Sequence, residues 1–292
     1  MNADDNQQAE RPLLALRKPP PRLLDTFTMI DLNSVKNLPS VTEAIARLRS
    51  LTDRPLQIKH VDEWTPTDPT DPPVLPSAAY VRWDDRDEVY VTDVLPEHML
   101  VHELLHPILW AEGYPDLILS NRQGLRYTKQ HEEHFRTHID GIKDSLEHHE
   151  VHRRMREVYG LDMAPYYEYK AREHSRQLDA IVKSVSRELP FVIQKEIVDV
   201  LEMLEYRAYF GPEFDAYQRA TPVAVRAAEE LCGKIRESGF ATPAMARASY
   251  ETIRLYLVAW GSRVGMNEAE NDLWRGLDFP LVATPKDAAS GA

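Results

Sequence analysis

The chain has 292 residues, 43% of them hydrophobic and 28% charged, which is enough apolar material for one large or two modest globular domains and excludes a disordered protein. Its net charge of -12 offers no basic surface for nucleic acid or an anionic membrane. Cys232 is the one cysteine, which excludes an internal disulfide and a cysteine-ligated zinc site; with no signal peptide and no run of about twenty apolar residues, a cytoplasmic protein is expected.

Eleven of the 21 prolines precede Ala79, so the first quarter of the chain is poor in regular structure. Residues 1–37, with Arg17-Lys18-Pro19-Pro20-Pro21-Arg22, read as a disordered proline-rich tail. Ser40 to Leu51 reads as a helix: Ser40 and Glu43 form a capping box, and Ala44, Ile45, Leu48 and Leu51 recur at helical spacing. Leu56 to Val61 alternates as a half-buried strand, and Thr65 to Pro76 is a proline-rich loop. Tyr80-Val81-Arg82-Trp83 and Val89-Tyr90-Val91, with the turn Asp84-Asp85-Arg86-Asp87 between them, read as a hairpin.

The hairpin leads into a helix from Pro96 to Trp110 that contains His102-Glu103-Leu104-Leu105-His106. Residues four apart share a helix face about 5–6 Å apart, so His102 and His106 can both reach one tetrahedral zinc ion. Leu100, Val101, Leu104, Leu105, Ile108 and Leu109 cover a broad arc, as in a largely buried helix. Pro107 predicts a kink or an early last turn, and Gly113 before Tyr114-Pro115 ends the helix.

A polar helix is predicted from about Tyr127 to His148, with Phe135, Ile139, Ile142 and Leu146 as its buried stripe. Nine of the 11 histidines lie between His98 and His152. From Ala171 onward helical periodicity dominates, in Arg176 to Ser186, Phe191 to Tyr209, Pro222 to Ser238 and Pro243 to Trp260, with Gly239 and Gly261 as stop signals. The tail from Val282 reads as disordered.

The HExxH stretch behind a strand resembles the zincin metallopeptidases, over about Ala79 to Gly160. The resemblance implies a small sheet beside the HExxH helix, and with the mainly α-helical bundle that periodicity predicts after it the fold class expected is α+β. The expected organisation is a zincin-like catalytic domain at 38–165 and a helical region at 166–281 packed on or beside it. The resemblance also implies Zn2+ as cofactor, a peptide or protein as substrate, and hydrolysis by a zinc-bound water that Glu103 activates.

A catalytic zinc site needs a third protein ligand. The metzincin pattern would put a histidine at position 112, where this chain has Glu112. In the glutamate-zincins a glutamate on the following helix supplies it, and Glu147, 41 residues past His106, is the expected ligand, with His148 as the alternate. Asp144 could orient a ligand from behind. His98, one turn before His102, reads first as a surface histidine, as do His131, His134 and His138; Tyr166 and Tyr167 read as packing residues. Two alternatives stand beside the peptidase: a metal-binding protein without turnover, and a helical interaction module whose HExxH is accidental.

Overall fold

The structure, a computed structural model, describes residues 30–31, 34, 36–60, 78–83, 85–91, 94–95, 97–120, 129–183, 190–236, 238–266 and 268–282. The loop expected at Thr65 to Pro76, most of both tails, and the side chains of His131, His134, Phe135 and His138 lie outside the described residues. The fold is mixed α+β and mostly helical, with small sheets.

In chain order the elements are β1 (Ile30–Asp31), α1 (Pro39–Leu51), β2 (Leu56–His60), β3 (Ala78–Arg82), β4 (Asp87–Val91), β5 (Val94–Leu95), α2 (Glu97–Ala111), β6 (Ile118–Leu119) and α3 (Lys129–Glu157). They continue with α4 (Met163–Lys183), α5 (Pro190–Met203), a 3-10 turn at Leu204–Tyr209, α6 (Pro212–Ala220), α7 (Pro222–Ile235), α8 (Pro243–Arg263), α9 (Glu268–Gly276) and β7 (Leu277–Asp278). β1, inside the stretch read as tail, pairs antiparallel with β5.

The expected hairpin forms, with Tyr80 opposite Val89 in an antiparallel pair. β2 adds in parallel to the far side of β4, giving the order β2-β4-β3, so that β3 is an edge strand among the described residues. α1 starts two residues earlier than its capping box would have it: Pro39 occupies the first turn, Leu38 is the N-cap without a side-chain bond, and the Ser40 hydroxyl instead donates to Glu97 of α2. Ser40 therefore ties two helices together rather than capping one.

α2 is the centre of the fold, lying against α1, the β3–β4 hairpin and α3, with every residue from Met99 to Leu109 buried. The helix runs through Pro107 to Ala111, one residue past the Trp110 end read from the sequence. An interior proline costs about 3 kcal/mol. Leu100, Val101, Leu104, Leu105 and Ile108, each 0% exposed, contribute about 1.5–3 kcal/mol apiece, so packing outweighs the lost hydrogen bond. Gly113 then turns the chain out at φ 85, as its place after the helix predicts.

α3 outlasts its sequence reading by more than two turns, because Val151, His152 and Met155 continue the buried face beyond His148. α5 likewise stops at Met203, where a 3-10 turn with non-helical Tyr206 follows. Gly261 does not end α8. It lies inside the helix, where a Cβ would come within 2.6 Å of Asn271 Oδ1 and 2.9 Å of Gln194 Nε2; the stop comes at Gly265, φ 72. β7 pairs with β6, so the end of the helical half returns to the loop after α2, and buried apolar residues from both halves form one core.

Candidate metal centre

His102 and His106, one turn apart on α2, meet His148 from α3. The ring centroids are 5.1 Å apart for His102–His106, 4.8 Å for His102–His148 and 5.6 Å for His106–His148. One ligand atom from each ring lies within 4.8 Å of the others, and all three side chains are buried. Buried His/Glu groups of this kind can hold a metal ion.

Each imidazole has a carboxylate at Nδ1. His106 Nδ1–H donates to Glu147 Oε2 at 2.8 Å and His148 Nδ1–H to Glu202 Oε1 at 2.9 Å, while His102 Nδ1 lies 3.0 Å from Glu103 Oε1. A proton fixed at Nδ1 leaves Nε2 as the free lone pair, the arrangement a metal-ligating histidine uses. His102 Nε2 is buried with no hydrogen-bond partner, an arrangement that a cation would satisfy.

The two residues read from the sequence as candidate third ligands, Glu147 and His148, fall in different groupings. Glu147 groups with His106 and Asp144, whereas the grouping of His102 with His106 takes His148. Consecutive residues on a helix point about 100° apart, so α3 turns His148 to the other two rings and leaves Glu147 behind His106. Lys143 reaches Glu147 Oε1 at 3.7 Å from one turn earlier. Asp144 stands exposed at the mouth. His98 packs edge-on to Tyr166 and joins none of the metal groupings among the described residues.

Burial pushes His102 down to about 4 and His148 down to about 3, against the opposing pull of Glu103 and Glu202 respectively. Burial alone would also lower His106, but the hydrogen bond and charge of Glu147 outweigh it and raise His106 to about 9. Burial would raise Glu103; the adjacent His102, with His106 and His148 beyond, outweighs this and holds it at about 2. Glu103 is thus an ionised carboxylate at neutral pH, and its Oε2 accepts a 2.9 Å hydrogen bond from the Tyr80 N–H of edge strand β3.

These residues line a cavity of ≈ 270 Å³. Ala78, Ala79 and Tyr80 form one wall, and Tyr166, Tyr169 and Lys170 of α4 another. Sequence reasoning passed over the carboxylates behind the histidines. Glu202 and Glu205, three apart at the end of α5 and in the turn after it, face His148, His149 and His152, spaced one and three apart on α3. The signal was an acidic residue, Glu202, set beside Val198, Leu201 and Met203 on the apolar face of α5. His152 and Tyr166 extend the network: His152 Nδ1–H donates to Glu205 at 2.8 Å, and the Tyr166 hydroxyl donates to His152 Nε2 at 3.3 Å. His148, His152 and Glu202 make a further grouping of possible metal ligands, in which the His148 proton already bridges to Glu202.

Among the described residues, no helix is long and apolar enough to cross a membrane. No family model matches this chain, and neither a curated protein nor a solved structure matches it.

Proposed function

We propose that the chain is a zinc-dependent metallopeptidase of zincin type, with His102, His106 and His148 as the metal ligands. The reading rests on one observation: three buried imidazoles converge beside the Glu103 carboxylate in a cavity walled by an edge strand. Three nitrogen ligands with an open fourth position suit catalytic zinc. Zinc, when bound, would supply Lewis-acid polarisation of the scissile carbonyl and a lowered pKa for water.

The remaining chemistry belongs to the chain. Glu103, ionised and oriented by the Tyr80 N–H, accepts the proton of the attacking water and returns it to the leaving amine. Tyr166, whose ring lies 5.6 Å from that of His102, can turn its hydroxyl from His152 to a developing oxyanion. The carboxylates of Glu147 and Glu202 hold the His106 and His148 rings in place. Among the described residues β3 pairs with β4 alone, so an extended peptide could lie along its other edge by main-chain hydrogen bonds.

The test is elemental analysis of protein purified without added metal, together with hydrolysis of a mixed peptide library. About one zinc per chain, with cleavage abolished by chelation and restored by zinc, is the expected result. Metal without cleavage would favour a binding protein, and the absence of stoichiometric metal would make the HExxH stretch accidental.

A further inference from the structure

The side of α3 turned from the three histidines borders a second, larger cavity of ≈ 620 Å³, within the range of about 300–1,000 Å³ typical of small-molecule sites. Four arginines, Arg153, Arg156, Arg207 and Arg236, reach it in a chain of net charge -12. Glutamates share the wall but are already engaged. Glu157 accepts from Arg153 and Arg156, Glu229 from Arg207, and Glu205 from His149 and His152. Arg236 has no ion pair or side-chain hydrogen bond among the described residues, and each guanidinium carries five N–H donors, so the pocket has donors to spare.

One wall is aromatic. The His149 ring stacks on Phe240 with centroids 4.7 Å apart and planes 15° from parallel. The His149 side chain is 8% exposed, and its Nε2 is buried without a hydrogen-bond partner. A planar group against this wall would place an attached anion near the guanidinium groups, which bind phosphoryl oxygens through paired N–H donors.

We propose that this cavity binds a small phosphate monoester carried on an aromatic or heterocyclic ring. The site communicates with the metal centre through a single carboxylate. Glu205 accepts from His149 in this cavity and from His152, whose other nitrogen accepts from Tyr166 in the other cavity. An anion that draws His149 from Glu205 leaves that carboxylate to His152, so occupancy of one cavity bears on the orientation of Tyr166 in the other.

Titration of the full chain, as purified, with phenyl phosphate by calorimetry tests the proposal. The expected result is saturable 1:1 binding, tighter than that of inorganic phosphate or phenol, and retained in His106→Ala, which places it outside the metal centre. Arg236→Ala should weaken it about tenfold and Arg156→Ala with Arg236→Ala about a hundredfold, while Phe240→Ala should remove the advantage of phenyl phosphate over inorganic phosphate. Arg156 and Arg236 are exposed, so matched thermal melts will show that these variants fold. No saturable binding at millimolar concentration, binding unchanged in the double arginine variant, or binding lost in His106→Ala would overturn it.

Discussion

Glu147 Oε2 accepts a 2.8 Å hydrogen bond from His106 Nδ1, while its neighbour His148 joins His106 and His102 around one point. The two candidate third ligands thus have different partners, and the difference can be measured. Glu147→Gln keeps a hydrogen-bond acceptor behind His106 and is expected to weaken zinc binding about 10–100-fold. His148→Ala removes a ligand and is expected to abolish stoichiometric zinc. Competition with a chelator of known affinity ranks the variants, and a larger loss in Glu147→Gln would return the third position to Glu147.

Glu103→Gln is expected to retain zinc and fold while peptide hydrolysis falls about 10²–10⁴-fold, the usual worth of a positioned general base. The glutamine carbonyl can still accept from the Tyr80 N–H, so the local structure is kept. Hydrolysis at the wild-type rate would remove Glu103 from the mechanism. His102→Ala and His106→Ala should instead lose the metal.

In protein stripped of metal at pH 7, His106, raised to about 9, is protonated, whereas His102 at about 4 and His148 at about 3 are neutral. Zinc uptake is therefore expected to release the His106 proton, and affinity to fall about tenfold per unit as pH drops from 9 toward 4. Calorimetry in buffers of different ionisation enthalpy counts that proton; uptake with no proton release would contradict the assignment.

The same shifts set the stability of the stripped protein. His106 is raised above its unfolded value of about 6.5, so its contribution is full below that pH and is lost as pH rises through about 9. His102 and His148 are depressed, so theirs is present above about 6.5 and is lost as pH falls toward about 4 and 3. Melting temperature should therefore peak near pH 6.5 without metal and flatten when zinc occupies the rings. Identical profiles with and without zinc would argue against these histidines as ligands.

Gly261→Ala is expected to destabilise the fold by about 1–3 kcal/mol through overpacking, since its methyl would meet Asn271 and Gln194, both buried, with Met266 Sδ at 3.0 Å. Denaturant unfolding measures the loss. An unchanged midpoint would mean that the α8–α9 contact yields without cost.

The sequence by itself determined the local parts. Alternation set the β3–β4 hairpin, and the spacing of four placed His102 and His106 on one face of a helix that its apolar arc marked as buried. Both follow from periodicities of two and 3.6 residues that any short stretch displays. The tertiary structure decided what depends on how elements are turned against one another. The rotation of α3 against α2 put His148 with His102 and His106 and Glu147 with His106 and Asp144, a difference of about 100° on one helix that periodicity of α3 alone could not assign. Packing kept Pro107 inside α2 and carried α8 through Gly261, where local rules foresaw a stop. The distant Glu202, 54 residues beyond His148, became that histidine's partner because α5 lies against α3. Ligand face is a local property, but which faces meet is a property of the whole core.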